Sequence, residues 1–182
     1  MVAAGHPRTA EVGADVLRGG GNAVDAAIAS VLASWVCEPL LTGPGAGGYL
    51  LACGGGWTPA LLDFFVAAPG AGADPSGHGF LTPVDVDFGE TSQVFNCGPA
   101  SVGVPGGPAG LAAAAERWGT LPLADLAAPA AALARDGVPL NAEQAYVFEI
   151  LEQILVLTPE SAAEFAPAAV RCARVRHSAA RN

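Results

Sequence analysis

The stretch GGGNAVDAA, residues 19–27, decides how the chain begins to fold, because it ends one helix and starts another. Its three glycines supply the left-handed or extended backbone on which helices commonly end. Asn22 can accept a hydrogen bond from the amide three residues on, and Asp25 places a negative charge in the first turn of the next helix. We therefore predict a helix before this stretch and a second helix directly after Asn22.

The outer limits of these two helices can also be predicted. Pro7 suits the first position of the earlier helix, since its fixed φ is already helical, and Arg18 places a cation in the last turn. The second helix is apolar nearly all round as far as Val36, which is typical of a central helix that packs on several elements. It should end near Glu38, because Pro39 disfavours helical geometry in the residue before it.

The rest of the chain mixes strand and helix patterns. Apolar runs bounded by glycine and proline predict strands, and alanine-rich stretches closed by glycine predict helices. The expected fold class is therefore α/β. The strands are expected at residues 2–4, 49–53 and 57–63, with a strand pair in 94–104 broken at Gly98-Pro99; the later helices are expected at 108–118, 123–135 interrupted by Pro129, and 141–155.

Residues 43–48, GPGAGG, formally contain the GxGxxG pattern of dinucleotide-binding folds. That pattern needs a strand before it and a helix that opens on its glycines, whereas here a helix comes before and a strand follows. We therefore expect no cofactor, and predict a tight turn in which one stretch of backbone approaches another closely.

Several short motifs, taken in their order and spacing, resemble the γ-glutamyltranspeptidase family. Each motif alone would be a weak signal, and together they make the resemblance specific over about residues 2–140. The motifs are GGGNAVDAA at 19–27, Glu38-Pro39, TGPGAGG at 42–48, Leu62-Asp63-Phe64, Ala68-Pro69, VGVPG at 102–106 and WGTLPL at 118–123.

The resemblance implies an amino-terminal-nucleophile (Ntn) hydrolase, an αββα sandwich made as a precursor that cuts itself into a large and a small subunit. Residues 1–166 correspond to the amino-terminal part of the large subunit, so we expect a partial sandwich that ends before the small subunit. In such enzymes a newly freed threonine attacks the γ-amide carbonyl of glutathione-like substrates, with its own α-amine as base.

The resemblance also implies that this chain carries no catalytic residue. The family's threonine and oxyanion-hole glycines belong to the small subunit, and none of the chain's seven threonines stands in the family's Thr-Thr-His setting. We therefore expect a fragment of an acyl transferase or amidohydrolase that is inactive alone and needs the small subunit or a homologous chain. The alternative is a non-catalytic remnant or a binding partner of an intact homologue.

One substrate-binding residue is expected to differ from the family pattern. The family usually has Arg-Glu between its Asp-Phe and Ala-Pro elements, and that arginine pairs with the α-carboxylate of the substrate, whereas this chain has Phe65 and Val66. An aromatic ring cannot replace a charge-assisted arginine–carboxylate pair. Two interpretations of Phe65 remain open: it lines an acyl pocket for a group less polar than glutamate, or it fills the core.

The carboxyl-terminal residues 167–182 differ in composition from the rest. All 17 acidic residues lie at or before Glu164, while four of the eight arginines lie after it. We interpret 167–182 as a basic tail, either disordered or the product of a lost reading frame near Pro167, with a solvated native tail as the alternative.

Composition and charge exclude several classes of protein. A net charge of −9 with scattered arginines gives no stripe for nucleic acid, and the isolated cysteines and histidines give no metal-site pattern. The longest uncharged stretch, between Glu38 and Asp63, contains too many glycines and prolines to span a membrane. Since MVAAGHPRTA does not resemble a signal peptide, we expect a soluble, cytoplasmic protein that acts on a small-molecule amide if the enzyme is complete.

Overall fold

The computed structural model describes residues 1–54, 56–72, 74 and 79–166. The chain divides into two compact units. The first takes in Met1–Asp74 and Val102–Asn141, and the second takes in the described residues of 75–101 and 142–166. The tail at 167–182 lies outside the described residues, so the domain boundary expected at residue 166 stays a prediction.

The first unit combines helices with one β-hairpin. Its core lies around α2, which contacts α1, α3 and α4. The elements are α1 (Pro7–Arg18), α2 (Ala23–Cys37), β1 (Tyr49–Gly54), β2 (Trp57–Asp63), α3 (Gly107–Trp118) and α4 (Leu123–Asp136).

The junction between α1 and α2 confirms the prediction from residues 19–27. The Oδ1 atom of Asn22 accepts from the amides of Val24 (2.8 Å) and Asp25 (2.9 Å), and Asp25 Oδ2 accepts from the Asn22 amide (2.8 Å). This reciprocal arrangement is a capping box and satisfies amides that a helix start leaves unpaired. At the start of α1, His6 Nδ1 accepts from the Arg8 amide, a cap that the sequence analysis did not predict.

The centre of the first unit is the buried side of α2. Ile28 and Ala29 are fully buried and pack with Leu111 and Ala114 of α3 and Leu126 of α4. Burying each large aliphatic side chain contributes about 1.5–3 kcal/mol, so this cluster is a main source of stability.

The hairpin of β1 and β2 places apolar side chains on both of its faces. The strands are antiparallel, with Leu50 opposite Leu62 and Leu51 opposite Leu61. Leu50 and Leu62 pack against the helical core. Leu51 and Leu61 point the other way and are 67% and 63% exposed. The hairpin thus has an inner apolar face that is covered and an outer apolar face that is open.

The carboxylate of Asp25 joins α2 to residues that lie far along the chain. It is fully buried and accepts hydrogen bonds from the Thr120 amide (2.9 Å), the Thr120 hydroxyl and the Leu121 amide (3.4 Å). Asn22 Nδ2 adds a bond to the Trp118 carbonyl (2.7 Å). The capping box therefore also fixes the turn between α3 and α4.

The second unit is built from another hairpin and short helices. In its antiparallel sheet, Val84 and Val86 of β3 are buried, whereas Asp85 and Asp87 alternate with them on the exposed face. The elements are β3 (Thr82–Asp87), β4 (Ser92–Cys97), a 3₁₀ turn (Pro99–Ser101), α5 (Ala142–Ile150), α6 (Glu152–Leu155) and α7 (Pro159–Phe165).

Several strand predictions were wrong. Residues 2–4 are not a strand in the described structure, because no neighbouring strand pairs with them. Residues 94–104 do not form a strand pair: β4 ends at Cys97 and pairs instead with β3. Strand β3 was not predicted, although Val84 and Val86 alternate with polar residues; proline and aspartate are uncommon in strands, and β3 contains both.

Two helix predictions also need correction. Pro129 does not interrupt α4, because Leu126, Ala130 and Leu133 on either side of it are buried and hold the helix together. The helix expected at 141–155 is two helices that meet at Leu151, and α7 was not predicted. In the described part of the chain, no helix combines the length and apolar character that crossing a bilayer requires.

Replacing Asp25 by asparagine should destabilise the chain by about 2–3 kcal/mol at neutral pH, because an amide nitrogen cannot accept the bonds that the carboxylate accepts. Burial by itself raises the pKa of Asp25, but the bonds from Thr120, Asn22 and Leu121 together lower that pKa below its usual value. A lowered folded-state pKa contributes stability that is complete above about pH 4 and is lost as pH falls further. Urea unfolding at several pH values should therefore show the deficit of D25N shrinking in acid.

The matched control is Asp85→Asn, since Asp85 is an exposed carboxylate on β3. Its free energy of unfolding should change by less than about 0.5 kcal/mol. Equal losses for D25N and D85N would contradict a special role for Asp25.

Candidate functional site

The glycine loop, residues 43–48, lies against the end of β2. The Gly48 amide donates to the Phe64 carbonyl (3.2 Å), and the Phe64 amide donates to the Gly48 carbonyl (3.0 Å). A Cβ on Gly47 would lie 2.6 Å from both the Phe64 oxygen and the Val66 nitrogen, so only glycine fits there. The predicted close approach of backbone to backbone is confirmed at Gly47. It is not found at Gly43 and Gly45, where an added Cβ would meet nothing within 4 Å.

A third segment, residues 102–107, contacts both the glycine loop and the residues that follow β2. Ala67 and Val104 exchange backbone hydrogen bonds of 3.2 and 2.8 Å, and the Gly107 amide donates to the Ala46 carbonyl at 2.9 Å. Gly106 lies so close to the Phe64 carbonyl that a side chain would not fit between them. Three motifs that are well separated in the sequence therefore meet around Phe64, held mainly by backbone contacts.

Phe65 lies on the surface at this meeting point. It lies two residues after the end of β2, and its side chain is 56% exposed. Its ring stacks on Tyr49 with centroids 5.5 Å apart and planes 11° apart. The Phe65 amide donates to Asp63 Oδ1 at 3.0 Å, which fixes the turn out of the strand. In the described structure Phe65 does not fill the core, and the open interpretation that it lines an acyl pocket stays a prediction.

Tyr49 was not singled out in the sequence analysis. It is 59% exposed and shares the outer face of the hairpin with Leu51. No sequence signal singles it out, because only the register of the hairpin, which pairs Tyr49 with Asp63, places Tyr49 beside the residues that follow β2. The aromatic stack gives Phe65 a defined orientation on an otherwise open surface.

The polar groups of the described residues do not form a metal site. No group of three or more histidine, cysteine, aspartate or glutamate side chains in the described residues could hold a metal ion. Four of the threonines hold local structure instead: Thr9 donates to Glu38, Thr42 bonds Ser34, Thr120 donates to Asp25, and Thr158 caps α7. The expectation that this chain has no catalytic residue stays a prediction.

Comparison with known proteins gives the family. The model of the γ-glutamyltranspeptidase family matches residues 9–179. The chain belongs to the γ-glutamyltranspeptidase family. The match continues well past residue 140, where the motif resemblance ended, and includes most of the basic tail. The three segments that meet around Phe64 all lie within this matched range.

Two curated relatives and one solved structure illustrate the match. The chain is 39% identical over 142 residues to the glutathione hydrolase proenzyme of Bacillus subtilis (strain 168), which covers 78% of this chain and 23% of that protein. It is 34% identical to the acylase ACY 1 proenzyme of Pseudomonas sp. (strain SE83), covering 75% of this chain and 25% of that protein. The chain therefore spans about a quarter of the length of these curated relatives.

The fold agrees with this assignment. The γ-glutamyltranspeptidase of Helicobacter pylori superimposes with a TM-score of 0.71 at 28% identity, covering 88% of this chain and 44% of that one. The predicted α/β class is confirmed, and the chain forms part of an Ntn-hydrolase sandwich. In the first unit a helical layer covers the inner face of the β1–β2 hairpin.

Replacing Gly47 by alanine should destabilise the chain by about 1–3 kcal/mol, because the new Cβ would push the backbone of residues 64–66 away. Gly45→Ala is the matched control in the same loop. It should change the free energy of unfolding by less than about 0.5 kcal/mol, since its Cβ would meet no atom. Urea midpoints measured for both variants test this; a Gly47→Ala midpoint equal to that of Gly45→Ala would show that the close approach is not a constraint.

Proposed function

We propose that this chain is the amino-terminal part of the large subunit of a threonine-nucleophile acyl transferase or amidohydrolase, and that it is inactive alone. The family match supports the reaction class, and the short span relative to curated relatives supports a need for further polypeptide. The missing Thr-Thr-His segment supports inactivity of the isolated chain. The small subunit, or a homologous chain, supplies the nucleophile.

The role of this chain in the reaction is to hold and select the acyl group. The partner's threonine hydroxyl attacks the amide carbonyl, its proton passes through the threonine α-amine to the leaving amine, and water or another amine then accepts the acyl group. The described residues contribute the surface formed by Tyr49 and Phe65, which carries no charge to pair with a carboxylate. The substrate is thus a small amide, either of γ-glutamyl type or with a less polar acyl group.

The observation that carries this specificity is the exposed Phe65 at the family's arginine position. Leaving a substrate carboxylate without its arginine costs about 2 kcal/mol or more, roughly 30-fold in binding. The acylase ACY 1 proenzyme among the relatives supports acyl specificities beyond glutathione in this family. The preferred substrate therefore has an apolar group where a γ-glutamyl substrate has its α-carboxylate.

The outer face of the hairpin is the surface that we propose for the second sheet of the sandwich. Tyr49, Leu51, Leu61 and Phe65 are each more than half exposed there. A sheet with apolar side chains on both faces is typical of a middle layer, and stacked sheets lie about 10 Å apart. The partner's sheet would bury Leu51 and Leu61, and the acyl group of the substrate would lie against Tyr49 and Phe65. The cytoplasmic location expected from the sequence remains part of this proposal.

Replacing Phe65 by arginine should move the specificity toward γ-glutamyl substrates. The chain, co-expressed with the remainder of a family large subunit and a small subunit that has a free amino-terminal threonine, should hydrolyse pentanoyl 4-nitroanilide in preference to γ-glutamyl 4-nitroanilide. F65R should raise kcat/KM for the γ-glutamyl substrate by about tenfold or more, because it restores the carboxylate partner. Phe65→Leu is the control, and this variant should still prefer the pentanoyl anilide.

Three other results of this experiment would count against the proposal. Preference for the γ-glutamyl anilide by the unmodified complex, with no gain in F65R, would overturn the role of Phe65. Hydrolysis by the isolated chain would overturn the proposed inactivity. A well-assembled complex that hydrolyses neither anilide would favour the alternative, a non-catalytic remnant or binding partner.

A further inference from the structure

Tyr49 and Phe65 form a flat aromatic surface beside the outer face of the β1–β2 hairpin. Their rings stack with planes 11° apart and centroids 5.5 Å apart, so each ring covers part of one face of the other. Tyr49 is nevertheless 59% exposed and Phe65 is 56% exposed. The stack therefore leaves aromatic surface open to a third ring.

The backbone holds both rings in place. Tyr49 pairs with Asp63 in the hairpin, and the Phe65 amide donates to Asp63 Oδ1 at 3.0 Å. The amide and the carbonyl of Phe64 both bond Gly48. Because the two rings are already ordered, a ligand that stacks on them requires little further ordering of the protein. A flat, rigid group suits such a surface better than a flexible alkyl chain, which loses conformational freedom when it binds.

The charge beside the stack disfavours an anionic substrate. The exposed carboxylate of Asp63 lies in the same turn as Phe65 and is held there by the Phe65 amide. No arginine of the described residues forms an ion pair with Asp63, and Arg8 and Arg18 pair with acidic neighbours on α1. A substrate carboxylate at this place would meet a like charge and no cation. An uncharged acyl group avoids that repulsion.

We propose that Tyr49 and Phe65 select an arylacyl group, such as phenylacetyl, in the amide that the assembled enzyme hydrolyses. Aromatic rings attract one another through offset-stacked and edge-to-face contacts by more than their buried area alone supplies. Tyr49 is therefore a specificity-determining residue together with Phe65. The inference rests on the proposed function for the reaction, and it adds the chemical class of the acyl group.

The first test compares two acyl groups that differ only in whether a six-membered ring is aromatic. The complex used to test Phe65→Arg is given phenylacetyl 4-nitroanilide or cyclohexylacetyl 4-nitroanilide. In both, the threonine oxygen bonds the acyl carbon, 4-nitroaniline leaves with the proton, and water then cleaves the ester to release the carboxylic acid. The phenylacetyl substrate should have a kcat/KM about threefold higher or more. Equal values, or a preference for cyclohexylacetyl, would overturn the inference.

Variants of Tyr49 test its part in this preference. Tyr49→Leu should abolish the preference, because leucine is apolar but has no ring, and Tyr49→Phe should retain it. The matched control is Tyr146→Leu, since Tyr146 is a tyrosine of α5 that is also about half exposed. The ratio of the two kcat/KM values is measured within each variant, so a loss of folded complex cancels. A preference that survives in Y49L, or that disappears equally in Y146L, would contradict the role of Tyr49.

Binding to the full chain alone gives a readout that needs no catalysis. Phenylacetamide and cyclohexylacetamide are titrated while ring-proton resonances are followed by NMR, with those of Tyr49 and Phe65 assigned from their leucine variants. Phenylacetamide should shift these resonances with about threefold higher affinity or more than cyclohexylacetamide does. Equal affinities, or shifts confined to other residues, would overturn the inference.

The two readouts separate this inference from the proposed function. Binding of phenylacetamide at Tyr49 and Phe65, with no hydrolysis of any anilide, would support the aryl site and contradict the proposed activity. Hydrolysis of the pentanoyl anilide as fast as the phenylacetyl anilide would support the activity and overturn the selection of an aryl group.

Discussion

The carboxylate of Asp25 is the interaction on which the first unit most depends. It caps α2 within one turn and at the same time bonds the amides of Thr120 and Leu121, which lie almost a hundred residues later. A buried charge costs free energy unless hydrogen bonds replace its water, and here four groups do so. The position of α3 and α4 against α2, and through α3 the support beneath β2, follows from this one side chain.

The sequence predicted the capping box of Asn22 and Asp25, but it did not predict the bonds from Thr120 and Leu121 to Asp25. Asn22 and Asp25 stand at the spacing of a capping box, so their mutual bonds could be predicted from neighbouring residues alone. The bond to Thr120 depends on how helices pack, which no local pattern encodes. The strands differ in a similar way: β1 and β2 were predicted from adjacent apolar runs, whereas β3, which contains Pro83 and two aspartates, was not predicted.

The candidate site also depends on contacts between distant residues that the sequence does not predict. Family motifs singled out Phe65, and the structure adds that its side chain is exposed and stacks on Tyr49. Tyr49 could not be chosen from the sequence, because its neighbourhood with Phe65 comes from the register of the hairpin. The exposure of Ala23, Ala27 and Val31 on α2 could not be predicted either, since an apolar helix pattern does not say which of its sides packs on a neighbour.

The backbone contacts around Phe64 separate the shape of this region from the identity of the side chain at position 65. Gly47, Gly48 and Gly106 hold the main chain of residues 64–66, and the side chain at position 65 takes no part in those contacts. Mutational drift at that one codon therefore has little effect on folding, while the neighbouring glycines are closed to change. If Phe65 selects the acyl group as proposed, that selectivity is carried by a side chain that the backbone contacts of this region do not need.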